Sequence, residues 1–229
     1  MGKRLSDKAK IKRGMGTGSR ENYSPWVSAR EFNSQGTTSE ITDWKTGRQV
    51  NCLSQGEALW YYILRWDDSN VDIREQYPLD VNMTVQIADA LGFKHPQNSK
   101  HIMTTDFLVT KSDNSLHAYS VKSNRNLSNR TLQLLCIEKT YWNNKGCPYT
   151  ILLKSDANKL LASNIRLAVE FYDASKVFDR YSAIKHKISI KEYSFDMEHI
   201  PITNDTLDKF LETMNGYFTT RYWKFRCRL

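Results

Sequence analysis

Residues 104–122 have the sequence TTDFLVTKSDNSLHAYSVK, and this stretch decides the fold of the chain. Apolar residues recur through 105–110 and 116–122, which is typical of short strands. Between them, KSDNS at 111–115 is rich in residues that favour turns. The pattern therefore predicts two antiparallel strands joined by a hairpin.

The register of this hairpin decides which side chains meet. If the loop consists of the three residues after Lys111, that lysine lies opposite Ser115, and Asp106 lies opposite Ser120. Since side chains alternate along a strand, Asp106, Ser120 and Lys122 would share one face of the sheet. A slip of one residue would send Ser120 and Lys122 to the other face.

The flanking sequence predicts further elements of an α/β fold. Two short strands between 39 and 53 flank KTGR, a hairpin turn in which Gly supplies the positive φ. Hydrophobic periodicity and turn residues predict the remaining elements. These are helices at 54–66, 82–92 and 128–145 and strands at 71–79 and 148–154. The order indicates an α/β core with a mixed sheet.

After residue 160 the character of the chain changes. Helices are predicted at 159–173 and 205–217, and the alternating apolar residues of SAIKHKISIKEYSF, 182–195, indicate a strand. We expect a small, mainly helical C-terminal appendage.

Positive charge is concentrated at the two ends of the chain, which carries +8 overall. Residues 1–24 are predicted to form a basic, flexible arm containing RGMGTG, and the end of the chain is RYWKFRCRL, 221–229. Basic ends on a near-neutral body indicate contact with a polyanion, although they can also serve solubility alone. The cations expected to contact DNA are Lys10, Lys12, Arg13, Lys45 and Arg48.

Composition excludes several other classes. No apolar stretch approaches the roughly 18–20 residues that span a bilayer. The four cysteines lack the spacing of a zinc site or of a disulfide framework, so we expect a reducing cytoplasm.

Asp106 and Lys122 have the chemistry that phosphodiester hydrolysis needs. Mg²⁺ prefers oxygen ligands, which the Asp106 carboxylate and the Val121 carbonyl can supply. Lys122 can stabilise the negative charge that develops on the phosphate. Taken alone, the pattern fits an ordinary cross-strand ion pair better.

Glu57 has two possible roles. It lies at the start of a predicted helix, where it can complete the metal site as a second carboxylate. It also closes the sequence Ser54-Gln55-Gly56-Glu57, a capping box, and the residues alone favour the cap. A metal-bound carboxylate is not free to bind Ser54 at all times.

Other acids are less informative. Alternation places Asp72 and Arg74 on one face of a strand and Glu75 on the other. Glu138, inside the long predicted helix, either reaches the sheet or is solvated.

The chain as a whole resembles the TnsA family, the endonuclease subunits of Tn-seven-type transposons. The resemblance covers about residues 13–150, and DIREQYPL followed by TTDFLV is its most specific part. The other matching motifs are RGMGTG, Tyr23, Pro25-Trp26, KTGR, Leu53-Ser54, Glu57, Lys94-His95-Pro96, Val121-Lys122, Arg130-Thr131-Leu132, Glu138 and Tyr141-Trp142. The short form of the chain resembles TnsA proteins of CRISPR-associated transposons.

The resemblance implies a restriction-endonuclease-like PD-(D/E)xK core and a Mg²⁺ cofactor, for which Mn²⁺ can substitute. The implied catalytic residues are Glu57, Asp106 and Lys122, and the implied metal ligands are Glu57, Asp106, Val121 and Ser120. Where the family usually has Gln two residues before the lysine, this chain has the shorter Ser120. A catalytically weak DNA-binding adapter is therefore the alternative to a nuclease.

The resemblance also implies partners and a reaction. TnsA-type subunits nick the 5′ strands at transposon ends, acting with an integrase-type (TnsB-like) transposase and an AAA+ ATPase (TnsC-like) regulator. On this basis 25–160 is the endonuclease domain and 161–229 a winged-helix-like, partner-docking region. A restriction-type nuclease acting alone is a further alternative.

Overall fold

The computed structural model describes residues 5–28, 38–96 and 101–214. The chain divides into two compact units, Met1–Ala157 and Asn158–Leu229. The basic end of the chain, 221–229, lies outside the described residues.

The first unit contains the α/β core that the sequence predicts. Its elements are α1 Asp7–Lys12, β1 Ser39–Thr42, β2 Gln49–Cys52, α2 Gln55–Trp66, β3 Asn70–Pro78, α3 Val81–Ala90, β4 Thr104–Lys111, β5 Leu116–Lys122, α4 Asn129–Asn144 and β6 Tyr149–Leu153. Each strand and helix predicted before residue 155 is present, with bounds that differ by at most two residues.

A four-stranded mixed sheet forms the centre of this unit. Its order is β3-β4-β5-β6, and β1 pairs with β2 in a separate hairpin. β5 and β6 are parallel, whereas the other neighbours in the sheet are antiparallel. In the β4–β5 hairpin, Phe107 lies opposite Tyr119 and Thr110 opposite Leu116, which is the predicted register.

Helices cover both faces of the sheet. On one face, Leu108 and Ala118 pack with residues of α3 and α4 such as Ile137. On the other, Phe107 and Val121 belong to the apolar cluster of α2. The alternation of buried side chains along β4 and β5 follows from this coverage.

Residues 5–24, the described part of the predicted flexible arm, are folded. Residues 7–12 form α1, and the Tyr23 hydroxyl donates to the Glu75 backbone oxygen at 2.9 Å. A Cβ on Gly16 would lie 2.4 Å from the Pro78 side chain, so only glycine fits there. The Gly-rich stretch therefore packs closely onto β3.

The second unit is helical over its described residues. It contains α5 Lys159–Val169, α6 Arg180–Ser189 and α7, residues 204–214. The strand predicted within 182–195 is wrong, because most of that segment belongs to α6. Ile184 and Ile188 are four residues apart, so the helix places them on one face, and both are buried. Between 158 and 214 the structure contains no strand that could form a wing.

No helix among the described residues is both long enough and apolar enough to cross a membrane.

Candidate active site

Glu57 lies in the first turn of α2 and takes part in the capping of that helix. The Ser54 hydroxyl accepts from the Glu57 backbone nitrogen at 3.1 Å and donates to Glu57 Oε1 at 2.9 Å. The Leu53 backbone nitrogen donates to Glu57 Oε2 at 2.9 Å. Ser54 therefore caps the helix, and its hydroxyl and a backbone amide fix the Glu57 carboxylate.

Asp106 on β4 is held by the neighbouring strand. The Val121 backbone nitrogen donates to Asp106 Oδ2 at 2.6 Å. The Lys122 ammonium forms an ion pair with the same oxygen at 3.4 Å, and the Asp106 side chain is 17% exposed. The carboxylate is thus anchored at Oδ2 and open on one side.

Lys122 places its charge between two oxygen atoms. Its Nζ lies 3.4 Å from Asp106 Oδ2 and 2.9 Å from the Val121 carbonyl oxygen, to which it donates. Burial opposes the charged form, but Asp106 and Glu138 outweigh burial and raise the pKa of Lys122. The lysine therefore stays cationic at neutral pH.

Gln76, which the sequence pattern did not single out, joins the two carboxylates. Its Nε2 donates to Glu57 Oε2 and to Asp106 Oδ1, each at 3.3 Å. Its side chain is nearly fully buried, and its φ of +49° is rare for a residue other than glycine. Such a conformation costs roughly 1–3 kcal/mol and indicates a functional constraint. The signal in the sequence was the position of Gln76 within DIREQYPL.

The two acids interact strongly. Burial, and then repulsion from Asp106, raise the pKa of Glu57 from 4.5 to about 7. Hydrogen bonds from Leu53 and Ser54 and the charge of Lys122 only partly oppose this rise. A cation placed beside both carboxylates would therefore favour the ionised form of Glu57 and lower its pKa.

Ser120, which is expected to share a face with Asp106 and Lys122, is buried and contacts Glu138. Its hydroxyl donates to Glu138 Oε1 on α4 at 2.7 Å. The Thr105 hydroxyl donates to the same oxygen at 2.7 Å, although regular alternation would put Thr105 on the face of Phe107. The alternation thus breaks between Thr105 and Phe107, and Asp106 turns towards Glu57.

Glu138 is the second residue for which the sequence left alternatives open, and it reaches the sheet. Trp142 Nε1 donates to Thr105 Oγ1 at 2.7 Å, which links this carboxyl to a second residue of α4. Burial, followed by the charge of Asp106, raises the pKa of Glu138 to about 7. From its position on α4, Glu138 therefore interacts electrostatically with Asp106 and Lys122.

The donor set around Asp106 suits a hard divalent cation. Asp106 Oδ2 and the Val121 carbonyl already converge on one cationic group, the Lys122 ammonium, and Asp106 Oδ1 and Glu57 Oε2 converge on one amide nitrogen. Among the described residues, no group of three or more His, Cys, Asp or Glu side chains could hold a metal. Mg²⁺, however, keeps several waters and often takes only one or two carboxylates, so these residues fit it.

Comparison with known proteins shows a partial similarity to one family. The model of a family described as "TnsA-like endonuclease N terminal" matches residues 67–154. A curated relative, the transposon Tn7 transposition protein TnsA of Escherichia coli, is 35% identical over 161 residues. Over these residues the chain is similar to the TnsA-like family. The matched region covers 68% of this chain and 59% of the length of that relative.

The TnsA-like match includes most of the site. Gln76, Asp106, Lys122 and Glu138 lie within the residues that match the family model, whereas Glu57 precedes them. The structure nonetheless brings Glu57 within hydrogen-bonding distance of Gln76.

Two of the cations expected to contact DNA are used within this TnsA-like fold. Lys10 is buried and donates to the Trp26 backbone oxygen at 2.8 Å. Arg48 pairs with buried Glu75 at 2.8 Å, with its own side chain 8% exposed. Neither charge is presented to solvent, so both are corrected as DNA contacts.

The three remaining cations are more accessible. Lys45 pairs with Asp68 at 2.8 Å and has a side chain 24% exposed. Lys12 and Arg13, at the end of α1, are exposed. These two have the exposure that a phosphate contact requires.

Proposed function

We propose that the chain is a metal-dependent DNA endonuclease that nicks the 5′ strands at transposon ends during cut-and-paste transposition. The observation that carries the proposal is the convergence of Glu57, Asp106 and Lys122 around Gln76 and the Val121 carbonyl. We further propose that the mixed sheet is a restriction-endonuclease-like core of the PD-(D/E)xK type. Similarity to the TnsA-like family supports both statements.

Each residue has a distinct role in this proposal. Glu57, Asp106 and the Val121 carbonyl would hold Mg²⁺, for which Mn²⁺ can substitute. When bound, the ion would lower the pKa of its water and offset charge on the phosphate. The Lys122 ammonium, which has a raised pKa, stays charged and stabilises the negative charge that develops during hydrolysis.

The partners are proposed from the family. The relative is named as a transposition protein, and we propose that this chain acts with an integrase-type transposase and an AAA+ ATPase regulator. The exposed Lys12 and Arg13 would contact the phosphate backbone of DNA in the cytoplasm. The region 161–229 would bind a protein partner.

Strand-specific nicking tests the proposal. Full-length chain with its partner transposase and Mg²⁺ is incubated with DNA that carries a transposon end, and 5′-strand cleavage is followed on a denaturing gel. We expect Asp106→Asn and Lys122→Met each to lower the rate at least about 100-fold, since each removes charge from the reacting centre. Asp89→Asn and Lys139→Met, which change exposed charges on α3 and α4, should leave it unchanged. Intact 5′ nicking in both site variants would contradict the assignment.

A DNA-binding adapter without cutting activity is the second candidate. It is favoured by the Ser120 hydroxyl, which is shorter than the usual glutamine and is engaged by buried Glu138. An adapter would bind transposon ends without nicking them, and cells would accumulate cointegrates. Cleavage by this chain alone, without the transposase, would instead identify a stand-alone nuclease.

A further inference from the structure

We propose that Gln76 is a reversible ligand of the divalent-cation site. Without the cation its amide nitrogen bridges Glu57 and Asp106; with the cation the amide turns and presents its oxygen. The inference rests on the proposed function, because it assumes that the two carboxylates share a cation.

The amide nitrogen of Gln76 lies between the two carboxylates. Gln76 Nε2 lies 3.3 Å from Glu57 Oε2 and 3.3 Å from Asp106 Oδ1. Two carboxylates that share one donor define the place where a cation common to both would bind. Gln76 must therefore leave this place, or change what it offers there, when a cation binds.

The amide oxygen of Gln76 has a hydroxyl as its hydrogen-bonding partner. The Thr104 hydroxyl donates to Gln76 Oε1 at 2.9 Å. A hydroxyl both donates and accepts, so it can accept from Nε2 as readily as it donates to Oε1. Half a turn about the terminal side-chain bond would thus direct Oε1 to the cation and leave the contact with Thr104 in place.

The backbone conformation of Gln76 fixes where its side chain begins. Gln76 has φ +49°, and its carbonyl accepts from the Trp26 backbone nitrogen at 3.3 Å. Its neighbours Glu75 and Tyr77 keep a regular register with Phe107 and Thr105. The unusual conformation is therefore confined to the one residue that bridges the acids, and glycine, which would relieve it, would also remove the bridge.

A divalent cation at this site needs a further oxygen ligand. Mg²⁺ and Mn²⁺ both accept oxygen ligands, and the short Ser120 side chain is held by its bond to Glu138. An amide oxygen adds a ligand without adding negative charge to a pair of acids that already repel each other. Gln76 can supply this neutral oxygen from β3.

Cation binding without DNA tests the inference. Mn²⁺ is titrated into the full-length chain by calorimetry for the wild type, Gln76→Met and Gln76→Glu. We expect about tenfold weaker binding for Gln76→Met, which keeps the length but has no oxygen, and at least wild-type affinity for Gln76→Glu. Gln49→Met is the matched control, because Gln49 donates to Thr42 on an exposed hairpin; its affinity should not change.

The sign of the change separates the proposal from a structural role. If Gln76 only bridges the acids, Gln76→Met removes a competitor, and Mn²⁺ binds equally or more tightly; that result would overturn the inference while the proposed function stands. Absence of Mn²⁺ binding to the wild type would overturn both.

A second measurement does not depend on the variants folding. In the wild type, the side-chain amide protons of Gln76 should exchange their nuclear Overhauser contacts with the acids for contacts with Thr104 when Mg²⁺ is added. Unchanged contacts at saturating Mg²⁺ would overturn the inference.

Discussion

The Ser120 hydroxyl decides between two readings of the site at the scale of single residues. Because it donates to Glu138, we predict that Ser120→Ala lowers the free energy of unfolding by about 1–2 kcal/mol. The same variant should nick within about threefold of the wild-type rate, since no ligand is lost. Denaturant unfolding and the nicking assay measure the two effects. A large loss of nicking with normal stability would show that Ser120 serves the reaction directly.

Protonation of Glu138 gives a prediction about pH. Its pKa rises from 4.5 to about 7 on folding, because the carboxyl is buried near Asp106. Between these values the folded state binds more protons than the unfolded state, so stability falls as the pH rises and the loss is complete above 7. Without metal, Glu138→Gln should therefore lose roughly 2 kcal/mol less than the wild type between pH 5.5 and 8. Parallel stability curves for the two proteins would contradict this sign.

The sequence predicted the charged residues of the site better than the neutral one. The contact between Asp106 and Lys122 follows from the hairpin register and chemistry, whereas Glu57 needed the family resemblance, because its capping box gave the better local explanation. Gln76 was missed although it lies in DIREQYPL, since neither its positive φ nor its bridging position follows from alternation in an extended strand.

The packing of α2 on β5 gives a prediction at the scale of elements. A Cβ at Gly56 would lie 3.1 Å from Val121 Cγ1 and 3.2 Å from Lys154 Cβ. The helix preference of alanine, up to about 1 kcal/mol, would offset much of this crowding, so stability should change little. The helix end that carries Glu57 would shift, and we predict about tenfold slower nicking for Gly56→Ala.

The control for this effect is Gln55→Ala at the same helix end. It removes the contact with Lys154 Nζ but adds no atom against β5. Its nicking rate should stay near that of the wild type. An equal loss in both variants would show that the close approach of Gly56 is not the cause.

The elements differ in how far their sequence determines them. The β4–β5 register was predictable because a short turn fixes it and both faces are buried by different helices. In α6, the segment AIKHKISI satisfies both a period of two and a four-residue spacing, so alternation alone was ambiguous. Asp179 accepts from the Ser182 backbone nitrogen at 2.7 Å in a capping box, which is the local signal that favours the helix.

At the scale of the whole molecule, charge was a poor guide to exposure. The basic N-terminal sequence predicted a tether, yet part of its charge is buried, because Lys10 packs its ammonium 5.4 Å above the Trp26 ring. Only tertiary contacts separate Lys10 from the exposed Lys12 and Arg13. We predict that Lys12→Ala with Arg13→Ala weakens DNA binding and lowers its salt dependence, whereas Lys10→Met lowers stability.

The division of the chain near Ala157 gives the last prediction. Glu57, Gln76, Asp106, Lys122 and Glu138 all belong to the unit Met1–Ala157, together with the sheet and the helices that cover it. We therefore expect a fragment of residues 1–157 to fold, to bind Mn²⁺ with the affinity of the full chain, and to retain the pH dependence that Glu138 confers. Its nicking in the presence of the ATPase regulator should fall, because the proposed docking region is absent. Weakened Mn²⁺ binding in a folded fragment would mean that residues beyond 157 support the site, and unchanged stimulation by the regulator would move the docking surface into the first unit.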